Sequence, residues 1–184
     1  MALVRTKYSG ELAVLSTWLC ALLPWSVSVG TFDFSGTMVS VVWLRFLPFR
    51  FLYILGGSLP GEAPFLPVWA VPDFVGTAGE STAAWLWIGG VVLFIVPFVL
   101  SIAYYLAEER VEAALPVDPV RLQGALLLLV GLVLAAATAV LFSSLPGATL
   151  PLGTLFLVIF GLVLLRLEEV EPNEEGVTLR GEGS

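Results

Sequence analysis

Four stretches of the chain are apolar and free of charge over roughly the length of a membrane helix. The first has eighteen residues, and the four runs are Leu12–Val29, Ala83–Leu106, Leu122–Phe142 and Leu152–Leu165. A helix rises ~1.5 Å per residue and a bilayer core is ~30 Å thick. The pattern predicts transmembrane helices over about 12–29, 83–106, 122–142 and 150–166.

Between the first two runs, the spacing of apolar positions changes from continuous to alternating. Polar and apolar residues alternate through Ser26–Val41, on both sides of Ser35 and Gly36. Alternation around a Ser-Gly pair is typical of a β-hairpin. The alternative is one helix over Met38–Leu55, kinked near Pro48, which lies in the membrane interface or re-enters it.

The segment Thr37–Gly57 is apolar but carries Arg45 and Arg50 near its middle. Two central arginines cost ~5 to 7 kcal/mol on an insertion scale. The eleven Val, Leu, Ile and Phe residues between positions 39 and 55 return ~3 to 7 kcal/mol. Hydropathy alone therefore does not decide whether this segment crosses a membrane.

The basic residues favour the arrangement in which this segment does not cross. Six of them then share one side of the membrane: Arg5, Lys7, Arg110, Arg121, Arg166 and Arg180. By the positive-inside rule, that side is the cytoplasm. If the segment crossed, the six would divide between the two sides.

These observations predict an all-α membrane protein in the cell membrane with both termini in the cytoplasm. Its fold is a bundle of four transmembrane helices, with a re-entrant or interfacial segment between helices 1 and 2. This segment contains either a short β-hairpin or the kinked helix. Residues 1–166 form one membrane domain with an outer cap over 30–82. Residues 167–184 form an acidic cytoplasmic tail.

Local signals mark where two of the helices begin. Thr77 and Glu80 have the spacing of a capping box. Asp118 followed by Pro119 reads as an N-cap with proline at the first helical position. Pro97, inside the second apolar run, predicts a kink there.

Composition supports a membrane class and excludes several kinds of chemistry. Hydrophobic residues make up 58% of the chain and charged residues 12%, and the mean hydropathy is +0.98, whereas charged residues make up ~25% of a typical soluble domain. The net charge of −7 argues against a nucleic-acid partner. A single cysteine, Cys20, and no histidine exclude disulfide frameworks and Cys/His zinc sites. No metal or cofactor is predicted.

Candidate functional residues lie outside the four apolar runs that end at Val29, Leu106, Phe142 and Leu165, which contain no Asp, Glu, Lys, Arg or His. Pumps and exchangers generally place such residues at membrane depth, so their absence counts against ion-coupled transport and acid-base catalysis. No catalytic residue is predicted. The predicted functional or ion-pair cluster consists of Arg45, Arg50, Asp33 and Asp73, with Glu62 and Glu80 as further acidic partners for the arginines.

A stripe of small residues predicts close helix packing. Gly131, Ala135 and Ala139 recur every fourth residue, which lets a second helix approach. We expect the stripe to serve the hairpin of the last two helices, with Gly153 or Gly161 opposite. Self-association is the alternative use.

Several motifs together resemble a known group of proteins. They are LSTWLCALLPWSVSV, RFLPF, AYYLAEERVEA and LPVDPVRLQGALLLL, and they are similar to an uncharacterised family of small multi-pass membrane proteins from halophilic archaea. The acidic, lysine-poor composition is consistent with such a source. The resemblance covers nearly the whole chain and implies no activity, ligand or functional residue.

Three classes of function follow from these expectations. The favoured one is a non-enzymatic accessory or scaffold subunit in the lipid bilayer, which binds a membrane protein partner or a second copy of itself. The alternative is an oligomeric small-solute or anion channel or transporter, with Arg45 and Arg50 lining an anion-accessible vestibule. The third is an integral membrane enzyme.

Overall fold

The computed structural model describes residues 9–34, 36–55, 63–145 and 147–167. These residues form four α-helices and one five-stranded antiparallel sheet. The predicted acidic tail lies outside the described residues, apart from its first residue. The helices are α1 (Ser9–Leu22), α2 (Ala78–Ala114), α3 (Pro119–Ser144) and α4 (Leu152–Arg166). The strands are β1 (Ser26–Phe34), β2 (Thr37–Arg45), β3 (Phe49–Leu55), β4 (Phe65–Pro67) and β5 (Ala148–Leu150), and a 3-10 helix covers Val68–Phe74.

The prediction of an all-α bundle of four transmembrane helices is wrong, because the described fold is mixed α and β. Among the described residues, only α2 and α3 are long and apolar enough to cross a membrane. Helix α1 has 14 residues and α4 has 15, which correspond to ~21 Å and ~22 Å, short of a ~30 Å core. Helix α1 ends at Leu22, because Pro24 cannot continue the hydrogen-bonding pattern of the helix. The last residues of the predicted first span belong to β1 instead.

The predicted β-hairpin is confirmed, and the alternative of one helix over Met38–Leu55 is wrong. Strands β1 and β2 pair antiparallel from Ser26 opposite Arg45 to Phe34 opposite Thr37. Gly36 has a φ of +83° at the turn, a conformation that glycine adopts without steric cost. The arginine-bearing segment is therefore two strands, β2 and β3.

The sheet has the strand order β4-β3-β2-β1-β5. Its edge strand β5 lies between α3 and α4 in the chain and pairs with β1, with Ser28 opposite Thr149. Gly147, just before β5, has a φ of +124°, and a Cβ there would overlap the backbone of Val29 and Gly30. Only glycine fits this approach.

The helices run alternately toward and away from the sheet. Helices α1 and α3 end where strands begin, and α2 and α4 start from the same end. The amide hydrogen of Gly153, at the start of α4, is donated to the carbonyl oxygen of Pro24 at 2.9 Å. The sheet thus caps one end of the four helices, and β5 joins it from outside the range 30–82 of the predicted cap.

Both predicted helix starts are confirmed. The Thr77 hydroxyl accepts from the amide of Glu80, and the Glu80 carboxylate accepts from the amide of Thr77, which completes a capping box. The Asp118 carboxylate accepts from the amide of Val120. Helix α2 also has non-helical backbone geometry at Ala107 (φ −155°, ψ 56°), ten residues after Pro97.

Close helix contacts use glycines on both sides of the α3–α4 pair. A Cβ on Gly161 would lie 2.8 Å from the backbone nitrogen of Leu128 and 2.9 Å from the carbonyl oxygen of Gly124, and Gly131 abuts Val158. Of the predicted stripe, Ala135 is half-buried and Ala139 is exposed. Gly153 faces Pro24 and Trp25 instead of α3. The interface therefore runs through Gly124 and Gly131.

Candidate functional site

Arg45 and Arg50 lie opposite each other on neighbouring strands. Strand register pairs Arg45 at the end of β2 with Arg50 at the start of β3. Side chains alternate between the two faces of a sheet, so both arginines share one face with Val41 and Leu52. All four are buried, and the arginines are 5% and 7% exposed. We call this the inner face, because it turns toward the ends of the helices.

The two guanidinium groups lie in a polar patch of that inner face. Arg45 Nη1 donates to the Ser28 hydroxyl at 2.6 Å, and this hydroxyl shares a hydrogen bond of 2.8 Å with that of Thr149. The Arg45 guanidinium carbon also lies 6.0 Å from the centre of the Trp43 ring, within reach of a cation–π interaction.

Glu80 is the acidic residue that the fold brings toward the arginines. It lines a small cavity together with Arg45, Arg50, Trp25 and Trp87. Its carboxylate also accepts hydrogen bonds of 3.0 Å from the amides of Gly76 and Thr77, so the same residue caps α2.

Asp33 and Asp73, the other predicted members of the cluster, lie elsewhere. Asp33 is opposite Met38, near the hairpin turn and at the far end of β1 from Ser26, and its carboxylate accepts from the amide of Gly36. Asp73 is exposed on the 3-10 helix. Glu62, a further candidate partner, lies outside the described residues.

Burial changes the acidity of Arg45. Removal from water is the main cause that lowers the pKa of its guanidinium to about 9; the positive charge of Arg50 acts in the same direction, and Glu80 opposes the shift. Arg45 still carries its charge at neutral pH. A buried cation of this kind is costly unless its surroundings supply compensating groups.

A second feature, which the sequence analysis missed, lies at the opposite end of the helices. An open cleft of about 1090 Å³ separates the start of α1 from the end of α2, and its lining includes Glu11, Trp18, Tyr104, Glu108 and Glu112. Carboxylates next to aromatic rings favour cationic groups over anionic ones. Among the described residues, no group of three or more His, Cys, Asp or Glu could hold a metal ion.

The cleft depends on the break in α2. The Tyr104 hydroxyl lies 2.9 Å from a carboxylate oxygen of both Glu108 and Glu112. Residues eight apart rise ~12 Å along a straight helix, so the non-helical geometry at Ala107 helps to bring them together. The acidic run AEERVEA was the available signal, but sequence does not show that it folds back on Tyr104.

A buried glutamine was also missed. Gln123 Nε2 donates to the Thr17 hydroxyl at 2.5 Å and to the carbonyl oxygen of Pro97 at 2.8 Å. It joins α1, α2 and α3 by side-chain and backbone contacts in an otherwise apolar region. The only sign of it in the sequence is one glutamine at the start of an apolar run, and hydropathy averaged over such a run hides a single polar residue.

The sequence profile of a protein family of unknown function, DUF7549, matches residues 2–169. The chain belongs to the DUF7549 family. This confirms that the chain is a member of an uncharacterised family over nearly its whole length, while the halophilic archaeal source and the multi-pass character stay predictions from the sequence. Because the function of DUF7549 is unknown, membership assigns no activity to this site. No curated protein matches the chain.

Proposed function

We propose that this DUF7549 protein is a non-enzymatic integral membrane scaffold, in which the α2–α3 hairpin crosses the bilayer and the sheet presents a docking face outside it. The observation that carries the first part is the exposed apolar surface of the long helices. In the most apolar eighteen-residue windows of α2 and α3, only 28% and 39% of residues are buried. A core helix of a soluble protein is mostly buried, so these surfaces suit lipid.

The exposed side chains of the two helices support the same proposal. They are large and apolar along both helices, including Val92, Ile95, Val96, Val99 and Ile102 on α2 and Leu129, Leu132 and Phe142 on α3. A contiguous apolar surface of this kind is unusual for a protein that is surrounded by water.

Basic residues support an orientation with the sheet outside the cell. Arg110 lies near the end of α2, Arg121 at the start of α3 and Arg166 at the end of α4. All three are therefore at the end of the helices opposite the sheet. By the positive-inside rule this end faces the cytoplasm.

The scaffold part of the proposal rests on the face of the sheet that points away from the arginines, which we call the outer face. Antiparallel sheets usually carry polar side chains on the exposed face. Here the outer face carries Thr31, Asp33 and Ser40 toward the hairpin turn but is otherwise largely apolar. Several of its apolar side chains are about half exposed or more: Val29, Met38, Tyr53, Leu55, Phe65 and Leu150. Phe49, Phe51 and Phe65 pack together on this face, with ring centres 5.2 to 5.4 Å apart.

Such a face suits an apolar, aromatic-rich protein surface, since buried aromatic residues carry much of the energy of protein interfaces. The arginines do not serve this contact, because both are buried on the inner face. Their burial also does not favour an anion vestibule, which would need them in contact with water.

Membrane insertion is tested first, by extracting cell membranes with alkaline carbonate. We expect the protein to stay in the membrane pellet, and release into the supernatant would contradict membrane integration.

The docking face is tested separately, by replacing Tyr53 on the outer face with the photo-crosslinking residue p-benzoylphenylalanine in intact cells. We expect a discrete protein adduct.

The matched control places the same crosslinker at Val117, which is also exposed but lies in the loop at the opposite end. A Phe65→Ser change should weaken the Tyr53 adduct and leave any Val117 adduct unchanged. Adducts to lipid alone at Tyr53, or equal protein adducts at both positions, would contradict the scaffold proposal.

A further inference from the structure

A small cavity lies between the inner face of the sheet and the start of α2. Its volume is about 20 Å³, and Arg45, Arg50, Glu80 and three tryptophans contribute to its lining. A cavity needs ~10 to 15 Å³ by this kind of measure to hold one water-sized particle. The space therefore accepts a single small particle and excludes phosphate, sulfate or a lipid headgroup.

The groups around this cavity are mainly hydrogen-bond donors. A guanidinium group has five N–H donors and no acceptor, and the hydrogen bond that Arg45 makes among the described residues is the one to Ser28. Trp25 lines the cavity and is 1% exposed, and its indole N–H has no acceptor within the described part of the chain.

A buried hydroxyl on the strand next to Arg45 also lacks a hydrogen-bond partner. Ser26 Oγ, fully buried, has no partner among the residues described, and Ser26 lies directly opposite Arg45 in the sheet. Unpaired buried donors are costly and call for an explanation. A water molecule could accept two of these hydrogen bonds but would add two donors of its own, whereas an anion only accepts.

The charges around the cavity also favour an anion. The described residues give Arg45 a neutral hydroxyl as its hydrogen-bonding partner, and the nearby charges of Arg50 and Glu80 act on it in opposite directions. Glu80 also lines the cavity, but its carboxylate accepts from the amides of Gly76 and Thr77, and a buried cation without a counterion in direct contact is strongly destabilising. A small monovalent anion would supply that counterion at a position where it also accepts from Trp25.

We propose that the cavity beside Arg45 and Arg50 binds one chloride ion, which accepts hydrogen bonds from the Arg45 guanidinium and the Trp25 indole. The ion holds the sheet on the helical end, because its ligands come from β2 and from the segment between α1 and β1. This site is independent of the membrane scaffold proposal, since it concerns the inner face and needs no partner protein.

The tryptophans of the cavity provide a direct assay with bromide as the probe. Three of the six tryptophans, Trp25, Trp43 and Trp87, line the cavity, and a heavy halide in contact with indole quenches its fluorescence. The full chain in detergent is titrated with sodium bromide replacing sodium gluconate at constant ionic strength. We expect a saturable loss of fluorescence on top of the linear quenching of exposed tryptophans.

Trp25→Phe removes the donor and keeps an aromatic ring. We expect about tenfold weaker bromide affinity, because hydrogen bonds to a charged group are stronger than neutral ones. The matched control is Trp69→Phe, since Trp69 is 73% exposed and does not line the cavity. Its bromide affinity should equal that of the wild type.

Purely linear quenching in the wild type would overturn the proposal, as would equal bromide affinity in the Trp25 and Trp69 variants. A second measurement needs no variant: the unfolding temperature of the wild type in chloride and in gluconate at equal ionic strength. We expect a higher unfolding temperature in chloride, since a ligand of the native state stabilises it. Equal unfolding temperatures would overturn the proposal.

Discussion

The indole nitrogen of Trp87 donates a hydrogen bond of 2.9 Å to the carbonyl oxygen of Leu47. This bond joins the first part of α2 to the loop between β2 and β3. Both residues are buried, at 1% and 3% exposure, and the Trp87 ring also packs at 5.5 Å from that of Trp25. The sheet is therefore fixed to the helices at the same loop that brings Arg45 opposite Arg50.

Trp87→Phe should loosen this attachment. The change leaves the Leu47 carbonyl unpaired in a buried place, which costs ~1 to 3 kcal/mol, and it removes further packing. We expect a loss of ~2 kcal/mol or more in the free energy of unfolding, measured by chemical denaturation in detergent. Trp85→Phe is the control, because Trp85 is 62% exposed, and equal losses in the two variants would contradict this role.

Gly161→Val should disrupt the contact between α3 and α4. A side chain there meets the backbone of Leu128 and Gly124, which cannot move as a flexible side chain would. We expect the free energy of unfolding to fall by ~3 kcal/mol, which is at the upper end of the range for overpacking a core. The measurement is again the free energy of unfolding.

Gly89→Ala is the matched control for this glycine prediction. No atom lies within 4 Å of a Cβ at Gly89, and alanine in the interior of a helix is favoured over glycine by ~0.5 to 1 kcal/mol. We expect this variant to be slightly more stable than the wild type. A loss of stability comparable to that of Gly161→Val would contradict the prediction, because the destabilisation would then not come from the close contact between α3 and α4.

Gln123 and Thr17 should be energetically coupled. The hydroxyl of Thr17 accepts from Gln123 and donates to the carbonyl of Ala13. In a double-mutant cycle of Gln123→Leu and Thr17→Val, we expect a coupling of ~1 kcal/mol. Pairing Gln123→Leu with Thr138→Val should give additive effects, because Thr138 bonds to Leu134, and coupling in both cycles would contradict a specific contact.

Stability should depend on alkaline pH through Arg45. Burial lowers the pKa of folded Arg45 to about 9, below that of the unfolded chain, so the folded protein releases this proton first as pH rises. Above pH ~9 the unfolded state binds more protons, and the contribution of Arg45 to stability therefore increases with pH. Within the described part of the chain, Arg50 and Glu80 are the charged groups that act on it.

The test compares the wild type with Arg45→Met in chloride-free gluconate buffer. Between pH ~8 and ~10.5, we expect the stability difference to change in favour of the wild type. Arg121→Met is the control, since the side chain of Arg121 is 54% exposed and should give no such change. A constant difference for Arg45→Met would contradict the lowered pKa.

Local signals in the sequence predicted local structure well. The capping residues Thr77, Glu80 and Asp118 act within two or three positions, so their neighbours decide their role. The alternation in Ser26–Val41 likewise identified the first hairpin, because side chains on a strand have a period of two. Continuous apolar runs were less informative, since hydropathy does not say where a helix ends or whether it is long enough to span.

The tertiary structure decided the candidate site. The sequence does not show whether two cationic side chains in an apolar segment are buried, because the free-energy cost of burying them depends on which groups surround them. Strand register puts Arg45 opposite Arg50, and the 121-residue separation between Ser28 and Thr149 is closed by β5. The composition determined the apolar character of the chain, and residue spacing determined several of its local elements. Only the pairing of distant segments decided that the arginines are buried, because long-range contacts leave no periodic trace in a single sequence.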